Sequence, residues 1–364
     1  MIETKDKWPA VRIFHLAGGD RATDENRGKL KFFPEATRDQ GVQAEISSYM
    51  TAYRELESLG LEIYGVDFYY HSMHASGGIP PEWRPYHRVE DEPWLVESTI
   101  QKWRGIANAA FKRKDGFLWD ITGRIAYQLR TVTWRLREVS EAYHNQVIGI
   151  IQRSDFKDGT QIMDGFTELV NMALQGFLVD ACILRDYLAE FLAVIFEVNG
   201  FEKTPVTTMK RLIKHLDKLP DGEKIVQQLK AATRTNGWIN KLSSYRNLVV
   251  HSAPLGIAHS KIFTKCEELK VGGKGFIPGV RYFLPKDPEM IQISRSQGLH
   301  FSDFSKQLEV FAQFEEEQDS TLDGMDYAHS VLGKISELAM DLGQKSPLAA
   351  EQMVFDKLKI KMQK

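Results

Sequence analysis

Ser243 to Pro254 reads SSYRNLVVHSAP, and the fold expected of the chain turns on it. With the residues just before it, Trp238, Ile239, Leu242, Tyr245, Val249 and Val250 recur at three- and four-residue intervals. That is the spacing of an apolar stripe on a helix packed against a core. Arg246, Asn247 and His251 interrupt the stripe. Asn247 and His251 are four apart and share a face, while Arg246 sits about 100° round with a side chain long enough to reach them. Pro254 restricts Ala253 to extended backbone, which predicts a helix ending just after His251. The ring then lies in the last turn, where the partial negative charge of the helix end favours imidazolium.

An arginine, an amide and a titrating histidine at one edge suit the handling of a phosphodiester. Histidine moves protons at neutral pH, and arginine neutralises charge that builds on phosphate oxygens. The plainer alternative is an amphipathic helix whose Arg246 and His251 are paired with backbone or carboxylates.

Working outward, Asn236 is the expected N-cap of this helix, and Pro205 to Thr233 reads as two short amphipathic helices broken at Pro220. Gln161 to Asn199 is the most apolar long segment, with Gly200 as its stop, which places it at the centre of a bundle or in a dimer interface. Arg185, Asp186 and Glu190 are its charges between Asp180 and Glu197, and burying them demands partners. Asp186 and Glu190 lie on one face, placed to hold a basic side chain such as Arg246 or His251. Phe117 to Ile151 predicts a long helix with Leu118, Ile121, Ile125, Leu129, Val132, Leu136, Val139 and Tyr143 on one stripe, and Pro93 to Phe111 a helix before it. From Gln101 to Arg137 nine lysines and arginines stand against Asp115 and Asp120. Lys112, Arg113, Arg124 and Arg135, with Arg185 on the next helix, are candidates to follow an RNA backbone while Trp103, Trp119 and Trp134 stack on bases. The competing reading is a solvated basic face whose tryptophans belong to the core.

The string YRNLVVH, with a polar residue directly after the arginine and a closing histidine in a hydrophobic helix, resembles the RxxxxH signature of the HEPN superfamily (higher eukaryotes and prokaryotes nucleotide-binding). The resemblance spans about residues 118 to 255. Its specific part is the motif, supported by the order of two long helices, a short helical connection and a shorter fourth helix. HEPN domains are all-helical, and many are metal-independent ribonucleases. The resemblance therefore implies a mainly α chain: a helical bundle at 96–260, a small mixed region at 1–95, and a carboxyl-terminal extension at 261–364 with a hairpin and helices packing on the bundle. It also implies an endoribonuclease without cofactor or metal, using Arg246 and His251 with Asn247, and Asp186, Glu190 and Tyr245 in support. Such proteins act as homodimers that bring two motifs together, and serve as toxins or antiviral-defence effectors with an antitoxin or defence-system partner. The alternative is a non-catalytic helical module that docks RNA or a protein partner.

The remaining stretches are consistent with a globular chain. Hydrophobic content of 43% and charged content of 26% are ordinary, and the net charge of −2 hides segregated patches, with an acidic run EEEQD at 315–319. Cys182 and Cys266 lie far apart with no CxxC, which argues against a zinc site or a disulfide framework. MIETKDKW has no apolar core of a signal peptide, and no stretch reaches the roughly eighteen apolar residues of a membrane span, so a cytoplasmic protein away from membranes is expected. VRIFHLAG and LEIYGVDFYY have strand composition, and Val42 to Leu59 between them reads as a helix. His71 and His74, with His87, form a weak ligand pattern in a loop rich in glycine and proline. GGKG at 272–275 lacks phosphate-loop spacing, Glu268 to Ile291 around it reads as a hairpin or an irregular extension, and helices are expected at Phe301–Gln313, Thr321–Leu342 and Ser346–Met362.

Overall fold

Val11–Leu16 (β1) is an apolar string broken by Arg12 and His15, and this strand is central to an antiparallel sheet. It pairs with β2 (Arg21–Thr23) on one side, which leads to β3 (Lys29–Phe33) and β4 (Gln43–Glu45). On its other side lies β5 (Ile63–Tyr69), with β6 (Glu82–Pro85) at the edge, giving the order β4-β3-β2-β1-β5-β6. A computed structural model describes residues 8–34, 42–70, 77–90, 92–198, 205–220, 222–258, 263–296, 305, 309 and 322–351. One sheet face carries Phe14, Leu16, Leu30, Phe32, Val66 and Phe68, clustered with Ala52 and Leu56 of the short helix α1 (Ala52–Ser58).

Helices α2 (Leu95–Arg113), α3 (Gly116–Gln152) and α4 (Gly165–Ile195) form the bundle. Asp115 starts α3 by accepting from the Leu118 N–H at 3.0 Å, and Asp164 starts α4 through a capping box with Thr167. All eight residues of the stripe expected on α3 are buried. Short helices α5 (Met209–Ile213) and α6 (Lys224–Thr233) lead to α7 (Trp238–His251), followed by α8 (Leu255–Ala258). The cap of α7 is Gly237, not Asn236. Asn236 turns with φ 66°, and a Cβ on Gly237 would stand 2.2 Å from the Ala232 carbonyl oxygen, so the close approach of α6 excludes any other residue there.

The carboxyl region forms a hairpin, β8 (Thr264–Lys270) with β9 (Phe276–Tyr282). The two-residue β7 (Gln161–Ile162) joins it to make a second, three-stranded sheet. Val271 and Ile277 enter the core of the first sheet, so the hairpin packs on the amino-terminal region as well as on helices. After α9 (Pro288–Ser296), helix α10 (Gly324–Gln344) lies against α2 and α4, and Trp103 Nε1 donates to the Ala339 carbonyl at 3.1 Å. No helix among the described residues is long and apolar enough to cross a membrane.

The expectation of a mainly α chain is thus corrected to a mixed α/β one, with a six-stranded and a three-stranded antiparallel sheet beside the helices. Strands β2 and β4 have three residues each, too few for a period-two pattern to show in sequence. Val42–Leu59, expected to be helical throughout, divides into β4, a turn and α1. Ser346 to Glu351 is not helical. The rest of that expected helix, most of 301–313, Gly200, the acidic run at 315–319, and His71 and His74 lie outside the described residues.

The second face of the first sheet meets α3 through polar groups. His15 Nε2 is 3.2 Å from Asp67 Oδ2, and its Nδ1 is 3.0 Å from Ser140 Oγ. Arg137 donates to both Asp67 oxygens at 2.9 and 2.7 Å, and Arg21 donates to Ser140 Oγ at 2.7 Å and lies 3.5 Å from Glu141. Burial, with Arg21 close by, lowers His15 to about 4. Burial alone would raise Asp67, but hydrogen bonds from His15 and Arg137 overcome it and hold the carboxyl below the usual range. Gly65 provides the room for this seam, since a Cβ there would meet the Trp83 indole at 2.1 Å, and that indole donates to the Thr133 carbonyl of α3 at 2.8 Å.

Candidate active site

Helix α7 ends at His251, as Pro254 requires, and its polar residues converge. Arg246 Nη1 lies 2.9 Å from His251 Nε2 and donates to Asn247 Oδ1 at 3.2 Å. Guanidinium carries only donors, so a hydrogen bond across this contact runs from Arg246 to the ring nitrogen. The ring is exposed, while Arg246 and Asn247 are half-buried. Beneath them Cys182 of α4 is buried with its thiol pushed up to about 11 by burial, opposed by Arg185, and Arg246 is close enough to act on it.

The acidic supports expected on α4 serve other partners. Asp186 Oδ1 accepts from Arg185 Nε at 3.0 Å and from the Met209 N–H at 3.0 Å. Glu190 accepts both forks of Arg124 at 3.0 and 2.9 Å. Neither is bonded to Arg246 or His251. Asp186 is taken by the adjacent Arg185 and by the first N–H of α5, and Glu190 by Arg124 from the neighbouring α3. Tyr245 is fully buried, donates to the Pro285 carbonyl at 2.6 Å and meets Tyr327 edge-on, so it is a core residue and not a platform for a base.

Most of the cations chosen as RNA ligands are also engaged. Arg185 is buried and donates to Ser243 Oγ at 2.6 Å as well as to Asp186, which ties α4 to the motif helix. Arg124 is held by Asp120 and Glu190, Arg135 by Asp180 and Glu138, and Lys112 by an exposed pair with Glu351 at 2.8 Å. Arg113 is exposed and makes no ion pair among the described residues. Of the three tryptophans, Trp103 is buried, Trp134 packs against the core beneath Arg137, and Trp119 is exposed.

Sequence reasoning missed the seam. His15, Asp67 and Glu141 place one ligand atom each within 4.8 Å of one another. Arg21 and Arg137 stand among them, so the two carboxylates are already balanced and the group is a closed ion-pair network rather than a cation cage. The signal available was a histidine and an aspartate inside the apolar strings VRIFHLAG and LEIYGVDFYY. His87, the third residue of the loop histidine pattern, meets Glu337 at 3.2 Å and His329 edge-on.

Neither a known protein family, nor a curated protein, nor a solved structure matches the chain. What the site can do rests on its own geometry: one exposed imidazole held beside a guanidinium at the end of a helix.

Proposed function

We propose that the chain is a metal-independent endoribonuclease that cleaves RNA at Arg246 and His251. The observation that supports this is the 2.9 Å contact between the guanidinium and Nε2 on an exposed helix end. A phosphate arriving there competes for Arg246 and frees the Nε2 lone pair. His251 then takes the proton of the 2′-hydroxyl as its oxygen attacks phosphorus, and the bond from phosphorus to the 5′-oxygen breaks as that oxygen is protonated. Arg246 neutralises the non-bridging oxygens in the transition state, and Asn247 keeps the guanidinium aligned. The products are a 2′,3′-cyclic phosphate and a 5′-hydroxyl.

One histidine cannot be base and acid at once, and Asp186 and Glu190 are committed elsewhere. A second copy supplies the other proton donor in this reading. Leu169, Met172 and Ile183 form an exposed apolar stripe on α4 with Val179 half-buried between them, and Val250 and Ile257 flank His251 with their side chains in solvent. A two-fold interface over this stripe brings two Arg246 and His251 pairs toward one cleft. The test is incubation of the purified protein, Arg246→Ala and His251→Ala with total RNA in EDTA. The reading requires cleavage by the wild type alone, with cyclic phosphate ends. Cleavage that needs magnesium, or that survives in both variants, refutes it.

A further inference from the structure

The turn between α2 and α3 and the first three turns of α3 expose four aromatic rings. Phe111 is 66% exposed, Phe117 42%, Trp119 52% and Tyr127 74%. Large rings in solvent carry an apolar penalty that a monomeric fold normally avoids when they cluster. Their scaffold is fixed, since Lys114 closes α2 in the left-handed conformation (φ 59°) and Asp115 caps α3. Phe111 and Trp119 touch at 6.1 Å between centroids. Tyr127 stands as a ridge between two grooves that share Gly123 as floor. One groove, about 420 Å³, runs between Trp119, Arg124 and Tyr187. The other, about 1440 Å³, lies toward α2 and is lined by donors including Gln101, Lys102, Arg104 and Asn108.

Charge decides what fits. Arg104, Arg113 and Lys114 make no ion pair among the described residues, and Lys112 has only an exposed pair with Glu351. The carboxylates nearby are spent, Asp115 on its helix cap and Asp120 on Arg124. Exposed rings interleaved with unpaired cations are the chemistry of a single-stranded polynucleotide site, in which bases stack and cations follow phosphates.

We infer that this turn is a binding platform for single-stranded RNA, with Trp119 and Tyr127 as stacking residues and Arg113 and Lys114 as phosphate contacts. The choice of RNA rests on the ribonuclease reading, whereas the platform's geometry is separate from Arg246 and His251. It differs from the basic face expected in sequence, because Arg124, Arg135 and Arg185 are excluded by their ion pairs.

The test is fluorescence anisotropy of a labelled twelve-nucleotide oligouridylate on His251→Ala protein, with oligodeoxyuridylate and duplex RNA as further probes. Trp119→Ala and Tyr127→Ala each weaken binding roughly five- to hundred-fold. Arg113→Ala and Lys114→Ala each flatten the dependence of log affinity on log salt by about 0.7. All four positions are exposed, and circular dichroism of each variant verifies its fold. Affinity within twofold of the parent in both aromatic variants overturns the platform, as does tighter binding of the duplex or of the deoxy strand. Loss of cleavage activity from wild type with binding that still follows Trp119 and Tyr127 removes the nuclease and keeps the platform. Binding indifferent to them with cleavage that needs His251 does the reverse.

Discussion

Arg246 and His251 are five residues apart in sequence, yet Nη1 of one reaches to 2.9 Å from Nε2 of the other, closing a loop of side chains over the last turn of α7. In the proposed reaction an anion draws the guanidinium away from this contact and releases the ring nitrogen for proton transfer. Removing either partner should therefore affect chemistry far more than stability. His251→Ala and Arg246→Ala are each expected to reduce RNA cleavage on the order of 10²- to 10⁴-fold. Their unfolding free energies should stay within about 0.5 kcal/mol of wild type, since neither side chain is part of the core. Arg246→Lys should restore little, because a lysine head cannot span two phosphate oxygens and the ring together. Rates on a defined oligonucleotide with urea melts of the same samples check all three.

The apolar stripe of α4 makes a separate prediction. Met172→Asp and Ile183→Asp place charge on the proposed two-fold surface without touching Arg246 or His251. Both variants should sediment as monomers at concentrations where the wild type is dimeric, and both should lose cleavage together with association. A wild type that sediments as a monomer at high micromolar concentration refutes the two-fold site.

The seam between sheet and bundle should show up in stability. Asp67→Asn leaves Arg137 without its bidentate partner in a site where the Asp67 side chain is 2% exposed. A loss of about 3–5 kcal/mol is expected from breaking such a buried pair. Glu190→Gln disrupts the more exposed Arg124 pair and should cost about 1 kcal/mol or less. Chemical denaturation of the two variants side by side measures the contrast.

Asp323 gives a pH dependence with a definite sign. It caps α10 and accepts from the Tyr143 hydroxyl at 3.1 Å and the Tyr282 N–H at 2.9 Å. Burial, with Asp326 nearby, pushes its carboxyl up to about 7 against those donors. The unfolded chain releases this proton near pH 4, so between about pH 4 and 7 the folded state holds the extra proton. The group's contribution is complete below pH 4 and is lost as pH rises through 7. Asp323→Asn has nothing to release. The stability of wild type relative to this variant should fall by roughly 1 kcal/mol per pH unit over that window. Urea midpoints at pH 5 and 8 check it, and a wild type that holds level or gains on the variant as pH rises contradicts the assignment.

What could be read in the sequence was what repeats. Helix α3, read as Phe117–Ile151, runs from Gly116 to Gln152, because eight apolar residues hold one stripe through about seven turns. The end of α7 was legible from Pro254, and the β8–β9 hairpin from its glycines and alternation. The first sheet was only half legible. Its strands β1 and β5 carry strand composition, but β2, β3 and β4 pair across turns whose register no local pattern encodes. The polar partners were the least legible part. Asp186 could in principle have faced α7, and only the packing of α5 on α4 shows that it binds Arg185 and the Met209 N–H instead. Cations told the same story, since the two-pronged hold on Arg124 depends on Glu190 arriving from another helix.

Arg137 and Ser140 on α3 have their partners on β1, β2 and β5, and Trp83 reaches over Gly65 to hold the same helix. The helical region therefore cannot be lifted out as a portable cassette. A shortened chain starting near residue 95 would leave Arg137 with Glu141 but without Asp67, and would expose the Ser140 hydroxyl and the Thr133 carbonyl along the middle of its longest helix. Any ancestor or laboratory transplant that moved the motif helix into a new setting would have had to carry the sheet with it, or rewrite that flank of α3 first.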